Sequence, residues 1–288
     1  SQKERTTRMA VLLIPNTSKA QAVSVACHAA ALLQEYGVPV LVPDSPAASA
    51  ISGARVVPEE QAYALADQVI TVGGDGTLLR TGHACVHNHK PVLGVNLGRT
   101  GFLATCEVEE LPEKLHRLAQ GDYRVDSRSL LLARPDGGDW QMEAINDLVI
   151  FGETRMHPMD YSVYCDGSFV SHYRSDGLIL ATPTGSTAYS FSAGGPVLDA
   201  AADVMVLTPV CAHNVHTAPL VFAGRRQVEI VTDKENRDNS YLCADSCPCR
   251  PLRPGQRIAV TTAPDRLQLI TFQDSEQFCA IENKLMRR

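Results

Sequence analysis

The residues best placed to do chemistry stand in one short run: Gln68, Val69, Ile70, Thr71, Val72, Gly73, Gly74, Asp75, Gly76 and Thr77. An apolar strand leads into glycines, and Thr77 opens a helical stretch. Glycines let backbone N–H groups approach an anion, and a helix N-terminus adds a favourable dipole. Gly73, Gly74, Gly76 and Thr77 therefore form a candidate phosphate loop. The loop lacks both the Lys-Ser/Thr ending of a Walker loop and the Gly-x-Gly-x-x-Gly spacing of a dinucleotide fold. Asp75 is its informative member. A carboxylate inside a phosphate cradle repels the ligand unless it takes a proton from a hydroxyl or holds a metal. The competing reading is a turn in which the Asp bonds its own backbone, and for this tetrapeptide alone it is the commoner one.

A second segment shifts that balance. Arg174, Ser175 and Asp176 precede an apolar run, a hydroxyl-rich loop (Thr184, Gly185, Ser186, Thr187) and a helix expected over residues 187–202. Hydroxyls and a glycine just before a helix start offer another place for a polar ligand at free N–H groups. Ala188, Ser192, Ala193 and Gly194 are small enough for a flat ring to lie on the helix, and Thr187 and Ser192 can read ring edges. The bland reading is a Ser/Thr cap on a packed helix. Asn146 and Asp147 end a strand between the two loops, either as a turn former or as a holder of ribose hydroxyls or a metal.

The elements that must position these loops fall into two textures. Residues 10–95 alternate strand and helix: strands at 10–14, 38–42, 68–72 and 92–95, with helices capped by Ser18, over 59–66 and from Thr77. This pattern predicts a parallel sheet covered by helices, closed by a helix over 109–119. Beyond Gly121, short alternating runs at 130–133, 144–150, 161–165, 178–181, 228–231, 257–261 and 267–271 predict a β-rich domain. Residues 276–286 predict a terminal helix.

Composition bounds the function. The chain has 288 residues, 44% of them hydrophobic, and a formal net charge of -6. A mildly acidic chain without long runs of one charge gives no support to nucleic-acid or membrane-surface binding. No apolar stretch approaches the roughly 20 residues of a membrane span. Lys3, Arg5 and Arg8 ahead of an apolar run imitate a secretion signal, but the run stops at Pro15 and reads as the first buried strand. Nine scattered cysteines suit a reducing compartment, with the cytoplasm as default. Two clusters, one of His83, Cys85, His87 and His89 and one of Cys243, Cys247 and Cys249, lack the paired Cys-x₂-Cys spacing of a structural zinc site.

Together these segments resemble the NAD kinase family. Gly73 to Thr77 look like its first motif, and Asn96, Leu97, Gly98, Arg99, Thr100, Gly101, Phe102 and Leu103 resemble the segment that follows. Asn146 and Asp147 fall where the family has Asn-Glu. Residues 176–196 are similar to its long glycine- and threonine-rich motif, and residues 278–285 to its closing helix. The resemblance implies a Rossmann-like α/β domain (residues 1–122) with a parallel sheet, a β-rich NAD-binding domain (123–272), a substrate cleft between them, and a C-terminal segment (273–288) returning to the first domain. It implies phosphoryl transfer from ATP, or polyphosphate, to the 2′-hydroxyl of the adenosine ribose of NAD, with Mg2+ on the donor's phosphates. By carry-over, Asp75 is the general base and Gly76 helps hold phosphate. Asn146, Asp147, Arg174, Asp176, Thr187, Ala188, Tyr189 and Ser192 bind NAD. The family also implies a homodimer or homotetramer.

Diacylglycerol kinases and phosphofructokinases share a similar Gly-Gly-Asp-Gly loop, and residues 184–195 separate this chain from them. Four positions depart from the family pattern, and two of them, Asp147 and Ala218, keep a non-catalytic dinucleotide sensor in view. Asp147 replaces Glu and reaches about 1.3–1.5 Å less far. Ser175 replaces Gly, Ala218 stands where Arg is common, and Asp245, Ser246 and Cys247 replace Asp-Gly.

Overall fold

The computed structural model describes residues 9–98, 101–154, 157–213, 217–245, 249–273 and 276–286. They divide into two compact units, one ending at Ser127 and resuming at Leu267, the other running Arg128–Arg266. These divisions fall five residues after and six before the boundaries expected from sequence. The strands Arg124–Pro135 and Arg257–Thr271 each run through a division, so the chain changes unit inside a strand rather than in a linker.

In the first unit the strands are β1 (Val11–Pro15), β2 (Val40–Pro43), β3 (Arg55–Val57), β4 (Gln68–Gly73), β5 (Val92–Asn96) and β6 (Cys106–Glu107). They pair in parallel in the order β5-β4-β1-β2-β3, with β6 on β5. Leu269, from the long strand Arg257–Thr271, also pairs in parallel with Val92. Every residue of β4 is buried, as a central parallel strand covered on both faces requires. Alternate side chains serve opposite faces. Val11, Leu13, Ile70, Val72, Leu93 and Val95 share a core with helices α1 (Ala20–Glu35) and, by its apolar face, Leu111–Ala119. Four of the six buried α1 residues are alanines, so the helix lies close on the sheet. Ser18 does not cap it. The N-cap is Lys19 without a side-chain bond, and the Ser18 hydroxyl instead donates to Asn16 Oδ1 at 2.7 Å.

After α2 (Glu59–Leu65), α3 (Asp75–His87) starts two residues earlier than expected, at Asp75 itself. The Gly74 carbonyl already accepts the N–H groups of Thr77 and Leu78. The parallel register puts Gly73 opposite Asn96, so the glycine loop and the segment after β5 emerge side by side. Gly94 makes that packing possible, because a Cβ there would fall on Leu78 of α3 and on Ala104. Helix α4 (Leu111–Ala119) and the 3₁₀ turn before it realise the helix expected over 109–119.

The second unit is antiparallel. Its strands are β7 (Arg124–Pro135), β8 (Met142–Ala144), β9 (Asp147–Gly152), β10 (Met159–Cys165), β11 (Ser168–Ser175), β12 (Gly177–Ala181), β13 (Val204–Val210), β14 (Leu220–Ala223), β15 (Val228–Thr232), β16 (Ser240–Ala244), β17 (Arg250–Leu252) and β18 (Arg257–Thr271). One sheet runs β14-β13-β12-β9-β16-β17, while β11-β10-β15-β18 pair in the other. Leu148, Ile150, Leu178, Leu180 and Leu207 from the first meet Tyr161, Val163, Val228 and Ile230 from the second in one core. The opposite face of β12, Ile179 and Ala181, packs under Ala193 and Leu198.

The runs expected separately at 257–261 and 267–271 are one continuous strand, β18. Two further expectations fail here for local reasons. The run 144–150 is not one strand: β8 stops at Ala144 and β9 starts at Asp147, because residues 145–147 turn their N–H groups toward a carboxylate. The helix expected over 187–202 is only a 3₁₀ turn (Gly185–Thr187) and one α-turn, α5 (Tyr189–Ser192). Gly194 at φ 93° ends it, and Pro196 brings no N–H to continue it. The terminal helix is α6 (Glu276–Ile281) with a π-turn (Glu282–Met286).

Gly94→Ala should destabilise the first unit by about 1–3 kcal/mol through overpacking. Urea unfolding followed by circular dichroism reads this as a lower midpoint; an unchanged midpoint would mean that α3 and Ala104 can move apart.

Candidate active site

In the first unit the geometry centres on Asp75. It occupies the first turn of α3 directly after the buried strand β4. Its Oδ2 accepts the Phe102 N–H at 2.9 Å, and Oδ1 accepts those of Leu103 at 3.1 Å and Ala104 at 2.9 Å. The sequence reading allowed a turn in which Asp75 bonds its own neighbours. The observed partners come instead from a loop 27 to 29 residues further on. Three N–H donors hold the carboxylate in one orientation and stabilise its negative charge. Thr77 is buried and its hydroxyl accepts Asn16 Nδ2 at 3.3 Å. Asn16 was not singled out in sequence; it follows β1, whose parallel pairing with β4 brings it to the glycine loop. Gly73 is required sterically, since a Cβ would overlap the Thr77 side chain, whereas one at Gly76 would meet nothing within 4 Å. Gly76 therefore borders open space. Arg99 and Thr100 lie outside the described residues.

The second unit assembles Asn146, Asp147 and the hydroxyl loop around one turn. The Asn146 carbonyl accepts Thr182 N–H at 2.9 Å, and the Thr182 hydroxyl donates to the Ile145 carbonyl at 2.6 Å while accepting Gly185 N–H at 3.0 Å. Gly185 lies so close that a Cβ would overlap the Asn146 backbone. Buried Arg128 donates to the Thr184 hydroxyl at 3.3 Å, and Thr187 donates to the Thr184 carbonyl at 3.2 Å. These bonds place Thr187 and Ala188 on the far side of the same loop, half-buried, with Tyr189 and Ser192 exposed beyond them. Asp176 is exposed at the β11–β12 corner, its N–H bonded to the Val210 carbonyl. Arg174 is exposed and lies 3.7 Å from Asp160, which also meets His172 at 3.2 Å. Ser175 is fully buried and donates to the Gly177 carbonyl at 3.0 Å.

Asp245 completes this turn, and sequence noted it only as a departure from a family pair. Its Oδ2 accepts Ile145 N–H at 2.7 Å, and its Oδ1 accepts those of Asn146 at 2.8 Å and Asp147 at 3.2 Å. Asp245 itself sits at φ 50°. Asp147 is buried, and that burial, together with the Asp245 charge, raises its carboxyl to about 7. A carboxyl near 7 is present in both forms at neutral pH, so it can donate to or accept from a hydroxyl.

One cysteine cluster holds a disulfide. Cys243 and Cys249 pair across the hairpin of β16 and β17, with Cα atoms 4.4 Å apart. Cys247 and His216 lie outside the described residues. Among the described residues no group of three His, Cys, Asp or Glu side chains is arranged to hold a metal. Cys85 and Cys106 are pushed up to about 12 by burial and stay protonated thiols.

A family model described as the ATP-NAD kinase N-terminal domain matches residues 11–123, and one described as the ATP-NAD kinase C-terminal domain matches residues 145–272. The chain is 35% identical over 235 residues to an NAD kinase of Legionella pneumophila strain Paris, covering 81% of this chain and 80% of that one. It is 34% identical over 276 residues to the NAD kinase of Moorella thermoacetica, covering 95% and 88%. Its fold matches yeast NADH kinase complexed with NADH at a TM-score of 0.87 and 23% identity, over 98% of this chain and 88% of that one. It also matches an Archaeoglobus fulgidus NAD kinase in complex with ATP at 0.73 and 23%, over 96% and 99%.

Titration of Asp147 has a consequence for stability. An unfolded Asp titrates near 4, so folding takes up a proton between about pH 4 and 7. The contribution is complete below that window and is lost as pH rises through 7, on the order of 4 kcal/mol in all. Asp147→Asn should therefore melt higher than the parent at pH 8, with a gap several degrees wider than at pH 5. A gap that stays constant in calorimetry would mean that Asp147 is charged throughout.

Proposed function

The chain belongs to the NAD kinase family and phosphorylates NAD with ATP; we propose that Asp75 is the general base and that the 2′-hydroxyl of the adenosine ribose is the acceptor. The observation that carries this reading is the carboxylate fixed at the start of α3 by three N–H groups, beside Gly76, which borders open space. An alcohol is a poor nucleophile at neutral pH, and phosphoryl transfer leaves the protein mainly positioning and charge stabilisation to supply. Asp75 takes the hydroxyl proton as the new P–O bond forms. The loop of Gly73, Gly74, Gly76 and Thr77 lies at the positive end of the α3 dipole, which favours the phosphate charge.

In the same proposal Asn146 and Asp147 hold the ribose hydroxyls, with Asp147 donating or accepting according to its protonation. Thr187, Ala188, Tyr189 and Ser192 line the dinucleotide, Asp176 takes the nicotinamide side, and Arg174 supplies a nearby cation. The stitched turn of residues 145–147 supports this, because its side chains project from a backbone that Thr182 and Asp245 keep from moving. Mg2+ would arrive on the phosphates of ATP and neutralise their charge. Such an ion needs few protein ligands besides phosphate, and the oxygen donors here are of the hard kind it prefers. Polyphosphate is proposed as a second donor on the same footing.

Six free cysteines among the described residues support a cytoplasmic location, where the Cys243–Cys249 pair would be open to reduction. No described helix is long and apolar enough to cross a membrane. A homodimer or homotetramer is proposed from the family, with light scattering as its check.

Asp75→Asn should lower kcat for NADP formation by roughly 10²–10⁴-fold. An Asn can satisfy Leu103 and Ala104 with its oxygen but turns its amide toward the Phe102 N–H, at a cost of about 1.5–3 kcal/mol. The folded, inactive variant is the expected result; turnover equal to the parent would remove Asp75 from the mechanism.

A further inference from the structure

The carboxylate of Asp75 is oriented by a loop rather than by its own helix. Residues 101–104 form a tight turn, closed by a bond from Gly101 N–H to the Ala104 carbonyl at 3.0 Å. The next three N–H groups all point at Asp75. Gly101 stands against the carboxylate itself, so a Cβ there would overlap Asp75 Oδ1. Ala104 is fully buried beneath Gly94, which leaves the turn little room to shift as a body.

The far end of the loop is tied down from a distant part of the chain. The Thr105 hydroxyl donates to Glu276 Oε2 at 2.6 Å, across 171 residues. Glu276 Oε1 accepts the Phe272 N–H at 2.9 Å, which joins the end of β18 to the first residue of α6. Lys114 and Arg117 of α4 lie over the Phe272 ring, 5.7 and 5.2 Å from its centre, and hold that end against the core of the first unit.

We infer that residues 101–105 are a positioning element for phosphoryl transfer, in which Gly101 sets the orientation of the Asp75 carboxylate and the Thr105–Glu276 bond fixes the loop that carries it. This rests on the reading of Asp75 as the base. Glycine is required at position 101 because the closest approach in the loop is to the reacting group, not because the backbone needs unusual angles. The C-terminal segment thereby acts on the chemistry through one hydrogen bond and touches no substrate in doing so.

The scale follows from positioning. Displacing a catalytic group by about 1 Å can cost on the order of 10² in rate while leaving ground-state binding alone. Gly101→Ala should lower kcat roughly 30- to 100-fold, with KM for ATP and NAD within about threefold of the parent. Thr105→Val keeps the side-chain shape and deletes only the bond to Glu276; its kcat should fall roughly 3- to 10-fold with the same KM pattern.

The decisive measurement is a double-mutant cycle with Asp75→Asn. Residues that act through Asp75 have little left to lose once it is gone, so each second substitution should cost no more than about twofold in that background. Gly98→Ala is the control, because a Cβ there meets nothing within 4 Å; its kcat should stay within about twofold of the parent. Losses that multiply in the Asp75→Asn background would overturn the inference, as would a Gly98→Ala loss as large as that of Gly101→Ala. Full activity of Gly101→Ala beside an inactive Asp75→Asn would overturn it alone, whereas full activity of Asp75→Asn would overturn the base reading beneath it. Should Gly101→Ala fail to fold, Thr105→Val carries the same cycle.

Discussion

A carboxylate accepting three consecutive backbone N–H groups occurs twice among the described residues, and much of the geometry of the two units depends on it. Asp75 collects residues 102–104 and Asp245 collects residues 145–147. Hydrogen bonds to a charged acceptor contribute more than neutral ones, about 1.5–3 kcal/mol each, and a trio fixes direction as well as energy. In each unit one partner follows or begins a strand while the other lies in a loop far away in sequence. The sheets must hold strand ends in register for such trios to form. In the first unit the pairing of Gly73 with Asn96 does this, since it brings the start of α3 and the segment after β5 out at one edge.

The two trios have different consequences. Around Asp75 the donors face a residue in a helical first turn, where a negative charge also meets the helix dipole favourably. Around Asp245 the same arrangement places a charge beside Asp147, whose burial, with that charge added, raises its carboxyl to about 7. The second unit accepts that cost to fix Asn146 and Asp147 in an irregular turn between β8 and β9. It also keeps Asp245 at a positive φ, inside the hairpin loop closed by Cys243 and Cys249. Asp147 in place of the longer Glu has a physical counterpart here. A short acid on a rigid turn can exchange its missing reach for a proton that is mobile near neutral pH.

Much of the first unit was legible because its signals are local. β4 carries a Val-Ile-Thr-Val run that ends in glycines, and strand–helix alternation leaves few topologies. The second unit was harder for reasons visible in particular residues. β13 (Val204–Val210) begins just past the stretch read as a helix to residue 202, where alanines and Leu198 mimic helical spacing until Gly194 and Pro196 are given their weight. β8 and β9 looked like one strand because nothing in the sequence marks the Ile145 and Asn146 N–H groups as bonded to Asp245, 100 and 99 residues away. The site residues stood out by type and motif, but Asn16 and Asp245 did not. An Asn after a strand and an Asp in a hairpin are ordinary turn formers until their partners are known.

Glycines make the same point about what a motif encodes. Gly76 sits in the most recognisable tetrapeptide of the chain, yet a Cβ at that position meets nothing, so its requirement, if any, comes from what approaches from solvent. Gly101 lies in a less conspicuous stretch, yet its missing Cβ is what lets a loop close on the Asp75 carboxylate. Gly185 does the corresponding work in the second unit, where the hydroxyl loop presses on the Asn146 backbone. Two of these glycines are therefore space reserved for the protein's own polar groups, and one is space left outside them. Sequence alone makes all three look like flexibility. The distinction matters for the proposed mechanism, because a glycine that packs against the carboxylate proposed as base orients it in every molecule before any ligand arrives, and preorganisation of that kind is what phosphoryl transfer asks of a protein.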